Sequence, residues 1–182
     1  MSQRNIIWIC VIFFALGVIV FQMRAQFKSA ENLQKEQTIE DAFIKFSAPA
    51  LEKKTLNEKN LKDSLKDAAE KVSVYGVFAK KTEYSVFYIQ YKQDFDLKQA
   101  ANNFISLFAS FDFKPEISEG ENKITVTGSF TREKQTFGAN AVFYKKGNNL
   151  WQVFTIFPYS QENETSAQNF INSIEVDPLN KL

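Results

Sequence analysis

The sequence predicts an α+β protein: an N-terminal transmembrane helix, a helical linker, then an antiparallel sheet of about five strands with two packed helices, in the order ββαβββα. Three observations predict it. Residues 6–21 run without a charge. Residues 28–70 are densely charged, with apolar residues at helical spacing. From residue 72 the apolar period drops to two, and it returns to helical spacing twice. The divisions that follow are 1–25 as membrane anchor, 26–70 as charged linker or stalk, 71–176 as the α+β domain and 177–182 as a tail.

The first segment reads IIWICVIFFALGVIVF, bracketed by Arg4 and Arg24. At the helical rise it spans about 24 Å, and a few flanking residues carry it toward the thickness of the hydrocarbon core. Trp8 lies near one end, where an indole can sit at the lipid interface. A cleaved signal peptide is the rival, but its cleavage sites are poor: cutting after Ala25 places Met23 at −3, and cutting after Ala30 places Lys28 there. Trp8 and Ile9 before Cys10 do not make a lipoprotein signal. Flanking positive charges nearly balance. The very short N-terminal tail favours a signal anchor, with the C-terminal domain in the periplasm of a bacterial inner-membrane, single-pass protein.

In the linker, lysines 28, 35, 45, 53, 54, 59, 62 and 66 alternate closely with acids 31, 36, 40, 41, 52, 58, 63, 67 and 70. Mixed signs at short spacing mark a solvated helix face. Ile39, Phe43 and Phe46 recur at i, i+4, i+7, predicting a first helix that Pro49 stops. Thr55 and Glu58 have capping-box spacing, and Leu61, Leu65, Ala68, Ala69 and Val72 would form the buried face of a second.

Strands are predicted at 72–79 and 84–92, and Asp96 caps a helix to about residue 109 with Leu97, Ala101, Phe104 and Phe108 on one face. Pro115 and the turn 119–122 follow. Further strands are predicted at 123–131, 135–145 and 150–157, then a helix at 162–174. Both helices carry the pattern A-x-N-F-I, at 101–105 and 167–171, each after an aromatic strand. Two helices packing alike on one sheet face is the economical architecture, and a duplicated ββα unit is the alternative. The consecutive apolar residues 86–89 and 151–157 point instead to central strands covered on both faces.

Composition narrows the chemistry. The chain of 182 residues contains no histidine, so histidine bases, ligands and relays are excluded. Its single cysteine, Cys10, lies in the apolar span, which removes internal disulfides and cysteine-based zinc sites. Lysine plus arginine total 22 against 21 acids, a net charge of +1 that gives no support for a nucleic-acid partner. Phosphate-cradling and nucleophile-elbow glycine patterns are absent. The carboxylate neighbours Glu40 and Asp41, Asp94 and Asp96, and Glu116, Glu119 and Glu121 fall on polar surfaces. Ser129 and Lys134 are candidates for a histidine-free nucleophile–base pair only because both are present, and Ser129 shares with Thr125, Thr127 and Thr131 what reads more simply as a solvated sheet face.

No catalytic residue, metal or cofactor is expected. The 19 Phe, 6 Tyr and 2 Trp read first as core. Tyr84, Tyr88 and Trp151 are the candidate partner-binding aromatics, since such side chains join an apolar body to a polar tip. The expected function is that of a non-enzymatic binding, scaffolding or assembly factor for an envelope complex. It would be held by residues 6–21 in the membrane, with a membrane or envelope protein as partner. A module for an apolar ligand or lipid is the alternative, and a histidine-free hydrolase the third.

Overall fold

The computed structural model describes residues 35–54 and 67–176. Along them run β1 (Lys35–Ile39), β2 (Ile44–Ala48), β3 (Glu52–Lys54), β4 (Ala69–Ala79), β5 (Thr82–Tyr91), α1 (Leu97–Ser106), β6 (Lys114–Glu119), β7 (Lys123–Arg132), β8 (Gln135–Lys146), β9 (Asn149–Pro158), α2 (Gln161–Asn172) and β10 (Glu175–Val176). The strands form a seven-stranded sheet in the order β3-β4-β5-β9-β8-β7-β6 and a three-stranded sheet in the order β1-β2-β10. Every pairing is antiparallel. After the β4–β5 hairpin the chain crosses through α1 to the far edge. It then returns as the meander β6 to β9, so that β9 lies beside β5.

The predicted α+β class with about five strands is therefore corrected to a mainly β protein of two sheets. The extra strands of the large sheet are its edges, β3 and β6. Both are polar, and every residue of β6 is exposed. Pro115 belongs there. The Gly120 N–H donates to the Lys123 carbonyl at 2.7 Å, which makes that pair an inward-bonded one. By alternation Pro115, paired with Gly128, turns its donorless nitrogen to the free edge.

The helical linker is corrected as well. Residues 35–54 of it are strands and turns, and β4 begins at Ala69 where the second helix was expected to continue. In β2, Ile44, Phe46 and Ala48 are buried while Lys45 and Ser47 are partly exposed, a period of two. Ile39, Phe43 and Phe46 match a helical stripe only because the chain turns between Ile39 and Ile44. The predicted anchor, the capping box at Thr55 and Glu58, Leu61, Leu65 and the tail 177–182 lie outside the described residues. Among the described residues no helix is long and apolar enough to cross a membrane.

The two helices lie on opposite faces of the large sheet, not on one. On the first face α1 buries Leu97, Ala100, Ala101 and Phe104 against Phe87, Phe143 and Phe154. On the second, α2 and the small sheet bury Phe170, Ile44 and Phe46 against Tyr84, Val86 and Val153. The central strands are thus covered on both sides, as their consecutive apolar residues require. Each helix starts on its own cap: Asp96 Oδ1 accepts from Lys98 N at 2.8 Å and Ser160 Oγ from Asn163 N at 3.2 Å.

This placement bears on the A-x-N-F-I repeat. Phe104 packs on Phe143 and Phe154 at ring separations of 5.9 and 5.7 Å, and Phe170 packs on Phe46 and Tyr84 at 5.5 and 5.4 Å. Antiparallel neighbours such as β5 and β9 exchange only by rotation about an axis perpendicular to the sheet. That rotation keeps each face where it is. It cannot carry α1 onto α2, so β4-β5-α1 and β8-β9-α2 are not rigid copies of one unit. The shared pattern is the same packing solution used twice.

Candidate functional site: a clamped turn between the two sheets

The 3-10 turn Glu40–Ala42 joins β1 to β2, and the next residue, Phe43, closes it in the left-handed region with φ 50°. A bulky residue there is an outlier, with a strain of order 1–3 kcal/mol. Groups from the large sheet hold the turn in place. The Asp41 carboxylate accepts from Lys53 Nζ at 2.5 Å and from the Tyr75 hydroxyl. The Lys71 ammonium donates to the Asp41 carbonyl, and the Trp151 indole N–H donates to the Ala42 carbonyl at 2.5 Å. Lys71 also lies 5.8 Å from the Phe43 ring centre and 5.4 Å from that of Tyr88.

The clamp sets the electrostatics. Partial burial pushes the Asp41 carboxyl up, but the Lys53 and Tyr75 hydrogen bonds and the charges of Lys53 and Lys71 outweigh it, so its pKa falls below the ordinary carboxylate value. The Asp41 bond, then Tyr75, holds the Lys53 ammonium above its ordinary pKa. Burial, then the Asp41 bond, raises the Tyr75 phenol. The turn therefore presents a fixed carboxylate–ammonium–phenol cluster at neutral pH.

Against this rigid support Phe43 is 40% exposed. Its ring meets Tyr88 edge-on, with centres 6.0 Å apart. An open groove of about 640 Å³ is lined by the Asp41, Lys53 and Tyr75 part of the clamp together with residues including Gln37, Glu40 and Leu51; Phe43 is not one of its lining residues. The groove wall is itself pinned. Gln37 Nε2 donates to the carbonyls of Ala48 and Pro49 at 2.8 and 3.1 Å, and its Oε1 accepts from Leu51 N at 3.0 Å.

Of the three aromatics singled out from the sequence, Tyr84, Tyr88 and Trp151 are 4%, 2% and 2% exposed, so in the fold their rings are packing groups. Tyr88 and Trp151 come together with ring centres 5.5 Å apart and form the floor beneath the turn. Tyr84 lies apart, against Phe170. Asp41, Phe43, Lys53 and Lys71 went unnoticed as a site because each sits in a run that reads as a solvated helix or an ordinary strand. A local signal was the aromatic Phe43 flanked by Asp41 and the strand-period residues Ile44 and Phe46.

The other candidates are occupied locally. Asp94 pairs with Lys145 at 2.7 Å, Asp96 caps α1 and Glu119 pairs with Lys98 at 2.5 Å. Ser129 is in β7, and Lys134 is in the hairpin turn that follows it, at φ 65°. Among the described residues no three His, Cys, Asp or Glu side chains converge as a metal site. The chain matches no protein-family model and no curated protein.

Proposed function

We propose that this is a membrane-anchored envelope protein, its C-terminal domain in the periplasm, that binds and positions a protein partner without catalysing a reaction. Residues 6–21 supply the tether in this reading, and the clamped turn supplies the docking point. The observation that carries it is Phe43: an exposed aromatic in a strained backbone conformation, held there by groups from three strands of the large sheet. Such preorganisation lowers the ordering cost of association, and an exposed aromatic anchor beside a cation, here Lys71, is a common hot-spot arrangement. The phenylalanine-rich interior also supports it, because rings such as Phe87, Phe104 and Phe154 pack on one another at 5.7 Å and leave those aromatics to the core rather than to a ligand cavity.

Site-specific photo-crosslinking in intact membranes tests this, with the probe at position 43 of the full chain or at Ile117, which is 48% exposed. One discrete protein adduct from position 43 and none from position 117 is the expected result. No adduct at 43, or the same products from both positions, overturns the docking role. Protease accessibility in sealed vesicles tests the sidedness: digestion of the domain from the cytoplasmic face overturns the periplasmic placement.

A further inference from the structure

The first face of the large sheet is not covered along its whole length by α1. At the end marked by the hairpin turns 80–81 and 133–134, the chain leaves a half-open hollow of about 360 Å³ lined by Phe78, Lys81, Gln135, Phe137, Ile156 and Pro158. The register explains why these residues meet. Phe78 lies opposite Glu83, Glu83 opposite Ile156, and Phe137 opposite Pro158, so the row crosses β4, β5, β9 and β8 on one face. The walls are apolar: two phenyl rings, a branched aliphatic chain and a pyrrolidine. The rim is polar, formed by Lys81 and Gln135, both exposed.

The lining itself carries one charge, the Lys81 ammonium; Glu83, buried in the same row, and Glu133, in the turn at that end, are carboxylates that do not line it. Lys80 and Lys81 form the β4–β5 turn with φ 46° and 66°. They divide their roles. Lys80 pairs with Glu162 of α2 at 3.4 Å. Lys81 lines the hollow and has no ion pair among the described residues. No carboxylate is among the described residues lining it. Glu83, the buried carboxylate of this row, accepts from Ser85 Oγ at 3.3 Å and is not one of the lining residues.

The geometry points to a binding site for a single small amphiphile, a free carboxylate with a short alkyl or aryl body. Its apolar end lies over Ile156 and between Phe78 and Phe137, and its carboxylate meets the Lys81 ammonium at the rim with the Gln135 amide beside it. The volume is at the lower end of that of small-molecule sites, which limits the body to a short chain rather than a whole lipid. Apolar burial supplies affinity, at about fourfold per methylene that enters. The ammonium supplies the choice of head group, since a cationic amphiphile would place like charges together. The site is on the opposite face from Phe43 and stands or falls independently of the docking reading.

The experiment uses the full chain in zwitterionic-lipid nanodiscs, with isoleucine methyls labelled and the Ile156 methyl followed by NMR. Octanoate should give a saturable shift at Ile156, hexanoate should bind about fifteenfold more weakly, and octylammonium should give no saturable shift. Lys81→Glu should abolish octanoate binding. Gln135→Trp should weaken it by crowding the rim. Both substitutions are at exposed positions and should leave the other isoleucine methyl shifts unchanged, which confirms the fold. No saturable shift at Ile156, equal response to octylammonium, or an unchanged response in Lys81→Glu overturns the proposal. A shift that appears only when the carboxylate lipid is built into the disc assigns the hollow to the membrane surface and also overturns it.

Discussion

The indole N–H of Trp151 donates to the carbonyl of Ala42 across 2.5 Å, bonding the large sheet to a turn 109 residues earlier in the chain. Ala42 is fully buried, so no water replaces that donor. Trp151→Phe keeps an aromatic ring on β9 and leaves the carbonyl unsatisfied. The expected loss is about 1–3 kcal/mol, read as a lower denaturation midpoint at unchanged m-value. An unchanged midpoint would show that the indole bond is not what fixes the turn.

Asp41 makes the clamp sensitive to acid. Its carboxyl has a lower pKa in the fold than the ordinary value. A depressed pKa contributes stability that is fully present above the unfolded-state value and is lost as pH falls through the folded-state value. The wild-type chain should therefore lose some of its stability below the ordinary carboxylate range. Asp41→Asn should be less stable than wild type at neutral pH, with the gap narrowing in acid. Urea unfolding at a series of pH values reads both, and parallel curves would remove Asp41 from the clamp.

Gly138 is required by a ring. A Cβ at this position would lie 2.4 Å from the Phe157 ring across the β8–β9 pair. Phe157 is 2% exposed, so it has little room to retreat. Gly138→Ala should cost about 1–3 kcal/mol by overpacking. The double variant with Phe157→Leu should recover some of that loss, a coupling that thermal denaturation can measure.

Tyr91 and Tyr88 differ in what their hydroxyls do. Tyr91 is 6% exposed, and its buried hydroxyl has no hydrogen-bond partner among the described residues. Burial pushes its phenol pKa up. The Tyr88 hydroxyl donates to Asn149 Oδ1 at 2.8 Å. Tyr91→Phe should be neutral or stabilising, and Tyr88→Phe should cost about 1 kcal/mol. Equal effects in the two variants would mean that the Tyr91 hydroxyl is satisfied in solution.

What could be read from the chain follows how much each residue is governed by its neighbours in sequence. Strands β7, β8 and β9 fall close to the runs 123–131, 135–145 and 150–157, because alternation and burial coincide there. The cap at Asp96 is equally local. Residues 35–54 misled because a strand–turn–strand of five-residue strands happens to space its apolar residues like a helix. The edges β3 and β6 escaped because an edge strand has little reason to be apolar. The hairpin turns carry lysine and glutamate at φ 46–66°, where asparagine and glycine are the usual marks. The clamped turn was the least legible region. It is assembled from β3, β4 and β9 around a loop, and no sequence spacing records that Lys53, Lys71, Tyr75 and Trp151 meet over Asp41 and Ala42.

The position of Gln37 has a mechanical consequence. Strand β2 lies between β1 and β10, so the first and last described strands are bound to the same central strand. Any pull transmitted from residues before Lys35 enters at the open end of the β1–β2 hairpin, where Lys35 faces Ala48. Pulled there, the hairpin would open rung by rung, the weakest way to load a pair of strands. Gln37 lies two residues in and fastens the far strand and its exit at Ala48, Pro49 and Leu51. It acts as a rivet at the mouth of a zip. The clamped turn at Glu40–Ala42 lies at the closed end, and the drag of a tether would have to break that rivet before reaching it.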